Sequence, residues 1–150
     1  MKILMVCLGN ICRSPIAEGL MKKHCQQQKL NWQIDSAGTI GFHAGEPPDV
    51  RSICCCKKHG VDISMQRASK IELQLLDTYD FIFTMDNQNL ADIKNTTAIK
   101  LHHLFAILPF AEMTTSHVPD PYYGNTEDFD YVFQLLDEAC IRVINKILNK

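Results

Sequence analysis

Within VCLGNICRS, residues 6–14, stand two thiols, a glycine, an asparagine, a guanidinium and a hydroxyl. The apolar run KILMV (residues 2–6) leads into this stretch and Pro15 follows it. A strand that empties into a loop and then a helix aims backbone N–H groups at one concavity, which makes a site for an anion. Gly9 permits a tight backbone turn there, and Asn10 tolerates the left-handed region. Arg13 offers a planar fork that fits two phosphate oxygens. The loop lacks the nucleotide-binding pattern GxxxxGK[ST]. Cys7 is the first residue after the predicted strand, where N–H dipoles and Arg13 favour its thiolate. A thiolate at the floor of a phosphate cradle is a nucleophile aimed at phosphorus. Taken singly, Cys7 and Cys12 could equally be packing residues at the end of a buried strand. The combination Cys-x5-Arg-Ser between a strand and a helix weighs against that.

The elements that must hold this loop can be read from periodicity. KILMV is continuously apolar, as a strand buried on both faces should be. Pro15 suits a first helical turn, with Ser14 as N-cap and a helix over residues 16–27. WQIDSA (residues 32–37) is the second predicted strand, and GFHAGEPPD is a Gly- and Pro-rich loop. Residues 49–59 read as a helix that ends at Gly60. FIFTM (residues 81–85) is the third strand, and Asp86 could cap the helix after it. AIKLHHL (residues 98–104) is a weaker fourth strand. Phe129, Val132, Phe133, Leu136, Cys140, Val143 and Ile147 form one apolar stripe of a last helix. Alternating strands and helices predict a four-stranded parallel sheet with helices on both faces, a three-layer α/β sandwich. In such sheets the site lies at the carboxyl ends of the strands, which is where the first loop falls.

Composition narrows the function classes. The chain has 150 residues, enough for one domain and too few for two comfortable ones. A net charge of −2 and the lack of any long basic cluster argue against a nucleic-acid partner. The five-residue N-terminal apolar run is too short for a signal peptide or a membrane span, so a cytoplasmic protein is expected. Seven cysteines is an odd count, and a disulfide framework is not expected in a reducing compartment. Their spacings fit no zinc template, and Cys54, Cys55 and Cys56 point around a helix rather than to one ligand. No metal site is expected. His102 and His103, adjacent on the predicted strand, face opposite ways. His24, His43, His59 and His117 are isolated, and His43 alone lies in the loop beside the predicted pocket.

VCLGNICRSP resembles the signature loop of low-molecular-weight protein tyrosine phosphatases. DSAGT (residues 35–39), the Gly/Pro-rich stretch 41–49, HGVDIS, FTMDNQN and DPYYG (residues 120–124) follow in that family's order. The resemblance covers nearly the whole chain, residues 1–150 as one domain, and implies a flavodoxin-like or Rossmann-like fold. It implies that Cys7 attacks phosphorus and becomes phosphocysteine. Arg13 and the loop Leu8, Gly9, Asn10, Ile11, Cys12 and Ser14 would hold the phosphoryl group. Within that loop Ser14 would hydrogen-bond the thiolate, and Asn10 with Ser36 would keep its shape. Asp120 would protonate the leaving oxygen and then activate water. Tyr122 and Tyr123 would flank the pocket, with Leu8 and Phe42 completing an apolar wall. The family often has a histidine near Gln66, tied to the loop, and an arginine where Ser69 stands. Gln66 can support the loop with a hydrogen bond but cannot titrate. Phe42 replaces a more common Trp or Tyr and loses a polar handle.

The implied substrates are phosphotyrosine proteins or small aryl phosphates, with inorganic phosphate as product. No cofactor is needed, because Arg13 and the loop amides cover the phosphate charge. A monomer or weak dimer is expected. Cys12 lies five residues beyond Cys7 across a curled loop, so it is expected to resolve an oxidised, partly exposed Cys7 as a Cys7–Cys12 disulfide. Three other readings compete. An arsenate reductase would need two more cysteines after the third strand, and residues 86–104 contain none. A phosphoarginine phosphatase would carry Thr where Ile11 stands. A non-enzymatic phosphate-binding module would leave Asp120 in DPYYG without a purpose.

Overall fold

A computed structural model describes residues 1–98 and 100–150. Strand β1 (Lys2–Cys7) runs into the loop and then α1 (Arg13–Gln27); β2 (Gln33–Gly38), α2 (Val50–Lys58), β3 (Phe81–Thr84), α3 (Asn87–Thr96), β4 (Leu104–Ala106), α4 (Ile107–Phe110) and α5 (Thr126–Leu148) follow. A 3₁₀ turn, Leu73–Thr78, precedes β3. The four strands are parallel in the order β2-β1-β3-β4. The expected sandwich is present, and it is built by alternation along β1. Ile3, Met5 and Cys7 belong to a large core with α1, α2 and α5, while Leu4 and Val6 belong to a smaller one with the 3₁₀ turn and α3. Every residue of the α5 stripe read from the sequence is buried.

The chain passes from β1 to β2 on one side and only later to β3 on the other. The crevice between β1 and β3 is therefore the topological switch point, where open parallel sheets bind ligands. Cys7 ends β1 there, and Met85 and Asp86 leave β3 beside it.

Several boundaries differ from expectation. Helix α1 begins at Arg13 with Cys12 as its N-cap, and no side chain caps it among the described residues. Ser14 is not the cap, because its hydroxyl turns back to Cys7 and Asn10. The uncapped first turn keeps its N–H groups available to an anion. Asp49 caps α2, and Gly60 follows the helix with φ of 73°, a left-handed value suited to glycine. Asp86 caps α3 in a reciprocal box with Asn89. The fourth strand is Leu104–Ala106, not residues 98–104; of the expected segment, Ile99 lies outside the described residues. Among the described residues of that segment, Leu104 pairs with Ile82, and the His103 carbonyl oxygen accepts from the Ile82 amide at 2.8 Å; the position of the β3 edge sets the register of β4. His102 and His103 consequently lie in a turn, and His103 Nε2 meets the Leu76 carbonyl oxygen at 3.1 Å.

Candidate active site

Asn10 holds the loop between β1 and α1 from behind. Asn10 has φ of 58°, so it makes the left-handed turn itself. Gly9, expected to supply the turn, has no positive φ; it is needed for space, since a Cβ there would stand 3.1 Å from His43 Cδ2. The Asn10 Oδ1 accepts from the Ser69 amide at 3.0 Å, which fixes the orientation of its carboxamide. Its Nδ2 then donates to Ser14 Oγ at 2.8 Å and Ser36 Oγ at 3.0 Å.

Both hydroxyls, having accepted, must send their protons elsewhere. Ser36 donates to Glu18 Oε2 at 2.5 Å, and Glu18, only 8% exposed, is also paired with Lys22. Ser14 Oγ lies 3.0 Å from Cys7 Sγ, a contact in which either atom can donate. The Asn10 amide points at the same sulfur from 3.3 Å. The sulfur thus has a hydroxyl and a backbone amide within hydrogen-bond reach. Cys7 is buried rather than partly exposed as expected.

Arg13 is 3% exposed and its Nη1 is fixed twice, by Asp86 Oδ2 at 2.6 Å and by the Val118 carbonyl oxygen at 3.0 Å. These contacts set the plane of the guanidinium. Nη2 lies 3.5 Å from Asp120 Oδ2. Asp120 is half exposed, and its Oδ1 accepts from the Tyr122 amide at 3.1 Å.

A cavity of about 250 Å³ joins these groups. Cys7, Leu8, Gly9, Ile11, Cys12 and Arg13 form its floor, Asp120 one side, and Ile40, Phe42, His43, Tyr122 and Tyr123 its wall. Phe42 and Tyr123 are 81% and 95% exposed, so they form a rim rather than a packed wall. Asn10, Ser14 and Ser36 lie behind the floor. Burial, with Asp49 and Cys7 adding to it, pushes the Cys12 thiol up to about 12.

Gln66 does not support the loop in the way expected. Its Nε2 donates to the Pro15 carbonyl oxygen at 3.1 Å in the first turn of α1, and Oε1 is buried with no hydrogen-bond partner among the described residues. Loop support comes instead from the Ser69 backbone, a contact that its side chain does not reveal. Asp86 and Glu18 were also missed as parts of the site. Asp86 could have been found from its place just past β3 beside the switch point; Glu18, on a helix, carried no such signal.

The model of the low molecular weight phosphotyrosine protein phosphatase family matches residues 2–150. The chain belongs to this family. It is similar to the family's human phosphatase, with 39% identity over 99% of this chain and 94% of that one, and to the mouse phosphatase, with 41% identity over 99% and 94%. Its fold matches a protein tyrosine phosphatase from Entamoeba histolytica with a TM-score of 0.94 and 36% identity, covering 99% of this chain and 97% of that one. Family membership fits a cavity whose floor holds a cysteine and an arginine.

Proposed function

We propose that this chain, as one domain over residues 1–150, hydrolyses phosphotyrosine monoesters through a phosphocysteine on Cys7. One observation carries the reading: Cys7, Arg13 and Asp120 line a single cavity at the switch point of the sheet. In the first step the Cys7 thiolate attacks phosphorus. The S–P bond forms, the bond to the phenolic oxygen breaks, and Asp120 gives that oxygen its proton. In the second step Asp120 takes a proton from water, the water oxygen bonds to phosphorus, and the S–P bond breaks. Inorganic phosphate leaves and the thiolate returns, stabilised by Ser14 and the Asn10 amide. The uncapped helix N-terminus, the loop amides and Arg13 hold the phosphoryl charge throughout.

The aromatic rim of Phe42, Tyr122 and Tyr123 favours a substrate that carries its phosphate on an aromatic ring. Arg13 and the loop amides offset the phosphate charge, so no metal or other cofactor is invoked. Ile11 in the floor and the lack of cysteines in residues 86–104 weigh against the phosphoarginine and arsenate readings. Among the described residues no helix is long and apolar enough to cross a membrane. A reducing cytoplasm suits a nucleophilic thiol, and a monomer or weak dimer leaves the cavity mouth open.

The test is Cys7→Ser. Turnover of p-nitrophenyl phosphate and of phosphotyrosine peptides should vanish, while inorganic phosphate still binds by calorimetry, since the cradle is backbone and Arg13. Phosphatase activity above background in the variant refutes the mechanism. Equal kcat/KM of the wild type on phosphoserine and phosphotyrosine peptides refutes the substrate class.

A further inference from the structure

Arg51, in the first turn of α2, contributes no atom to the cavity floor, yet it touches both halves of the site. Its Nε and Nη2 engage the two carboxylate oxygens of Asp49 at 3.0 and 2.8 Å. Nη2 also donates to the Tyr122 carbonyl oxygen at 2.9 Å, and Nη1 to the Gly124 carbonyl oxygen at 3.3 Å. The guanidinium lies over the Phe129 ring, 4.5 Å from its centroid, and 5.7 Å from that of Tyr122. Asp49 in turn donates its backbone N–H to the Ile11 carbonyl oxygen at 2.8 Å, inside the phosphate-binding loop.

We propose that Arg51, clasped by Asp49, is a positioning residue that sets where Asp120 stands relative to the phosphate-binding loop. The proposal rests on Asp120 being the general acid. The connection is continuous: Ile11 to Asp49, Asp49 to Arg51, Arg51 to the carbonyls of Tyr122 and Gly124, and the Tyr122 amide to Asp120 Oδ1. Residues 120–124 need such a tie. Their internal hydrogen bonds are the Gly124 amide to the Pro121 carbonyl oxygen and the Tyr122 amide to Asp120. Among the described residues, the polar contacts that reach them from outside are those of Arg51 and the Arg13–Asp120 pair. The Arg13 contact cannot do this work through the reaction, because Arg13 must serve the phosphoryl group.

A guanidinium is required. Two edges of one rigid plane meet a carboxylate and two carbonyls, and its face lies over an aromatic ring; an ammonium cannot span that set. Small displacements of an acid matter, since proton transfer needs hydrogen-bond reach to the leaving oxygen.

The test compares Arg51→Met and Arg51→Lys with wild type on p-nitrophenyl phosphate and phenyl phosphate. Phenolate leaves poorly and depends more on the acid. Both variants should lose about tenfold more kcat on phenyl phosphate than on p-nitrophenyl phosphate. Inhibition by inorganic vanadate, which reads the phosphate-binding loop, should stay at the wild-type level. In an Asp120→Asn background, Arg51→Met should cost nothing further on phenyl phosphate. Equal losses on the two esters, or an additive loss in the Asp120→Asn background, overturns the proposal. So does a lowered Tm with weakened vanadate inhibition in both variants, which assigns Arg51 to support of the fold. If Asp120→Asn itself shows no leaving-group dependence, the acid assignment falls. If Asp120→Asn shows it and the Arg51 variants do not, only the role of Arg51 falls.

Discussion

Residues 7–14 and residues 120–124 both line the cavity, but they are braced differently. The first segment joins a central strand to a long helix, is buried apart from Leu8 and Gly9, and is held from behind by Asn10, Ser36 and Glu18. The second is exposed apart from Pro121, makes two hydrogen bonds within itself, and is reached by two arginines from elsewhere in the chain. Under the proposed roles, the nucleophile is braced by a buried network behind its loop, and the acid by arginines from other segments. This division matches the chemistry. In the proposed mechanism the phosphoryl cradle serves both steps unchanged, whereas the acid changes protonation state between them and meets water in the second.

The comparison breaks most visibly at Asp120. Asp120→Ala should slow hydrolysis by about 10²- to 10⁴-fold. The loss should be greater with phenyl phosphate than with p-nitrophenyl phosphate in steady-state assays. A loss of the same size on both would remove Asp120 as the acid.

Asn10→Ala attacks the other segment. It leaves the Ser69 amide and two hydroxyls short of partners, at a cost of about 1–3 kcal/mol, or about 5- to 160-fold if it all appears in kcat. Because the loop handles phosphorus and not the leaving oxygen, the two esters should suffer alike. A leaving-group-dependent loss would mean that the two segments are not separate devices.

Cys12→Ser should leave turnover close to wild type while changing recovery from oxidation. After peroxide and then dithiothreitol, wild type should regain most activity and the variant much less. The thiol of Cys12, pushed up to about 12 by burial, makes disulfide closure slow at neutral pH and faster as pH rises. Equal recovery, or mass spectra without a Cys7–Cys12 link, would leave Cys12 as a packing residue of the cavity floor.

The smallest effect is on stability in alkali. Cys12, Cys55 and Cys56 are each pushed from an ordinary 9.0 to about 12, chiefly by burial. A raised thiol value means that the folded chain holds the proton longer than the unfolded one. Stability is therefore fully present below pH 9.0 and falls from there to about 12, as the unfolded chain releases protons that the folded chain keeps. The Tm should drop across that window, and by less in Cys12→Ser. A flat profile would contradict the burial of these thiols.

The same contrast governs how much the sequence discloses. Residues 7–14 were legible because strand, turn, thiol and guanidinium are contiguous, and local spacing carries their geometry. Asp120 was legible only through the family resemblance, since nothing local distinguishes DPYYG from a surface turn. The contacts of Arg51 and Asp86 were not legible, because their partners are fixed by how α2 packs on α1 and α5 and how β3 pairs with β1. The fourth strand shows the limit in the fold. An apolar run suggested residues 98–104, but a short strand forms wherever its neighbour has backbone groups to pair, and that neighbour offered Leu104–Ala106.

The Asn10 brace has one more consequence, for kinetics over a full time course. A cradle whose curvature is set from behind has its shape before any ester arrives, so an anion entering it has little ordering cost to overcome. That advantage extends to whatever carries the same tetrahedral charge, including the orthophosphate each cycle releases. As product accumulates it competes with fresh ester for the same amides, and progress curves bend while substrate is still plentiful. The rigidity that readies the loop for the first turnover thus also makes the protein responsive to the phosphate concentration around it.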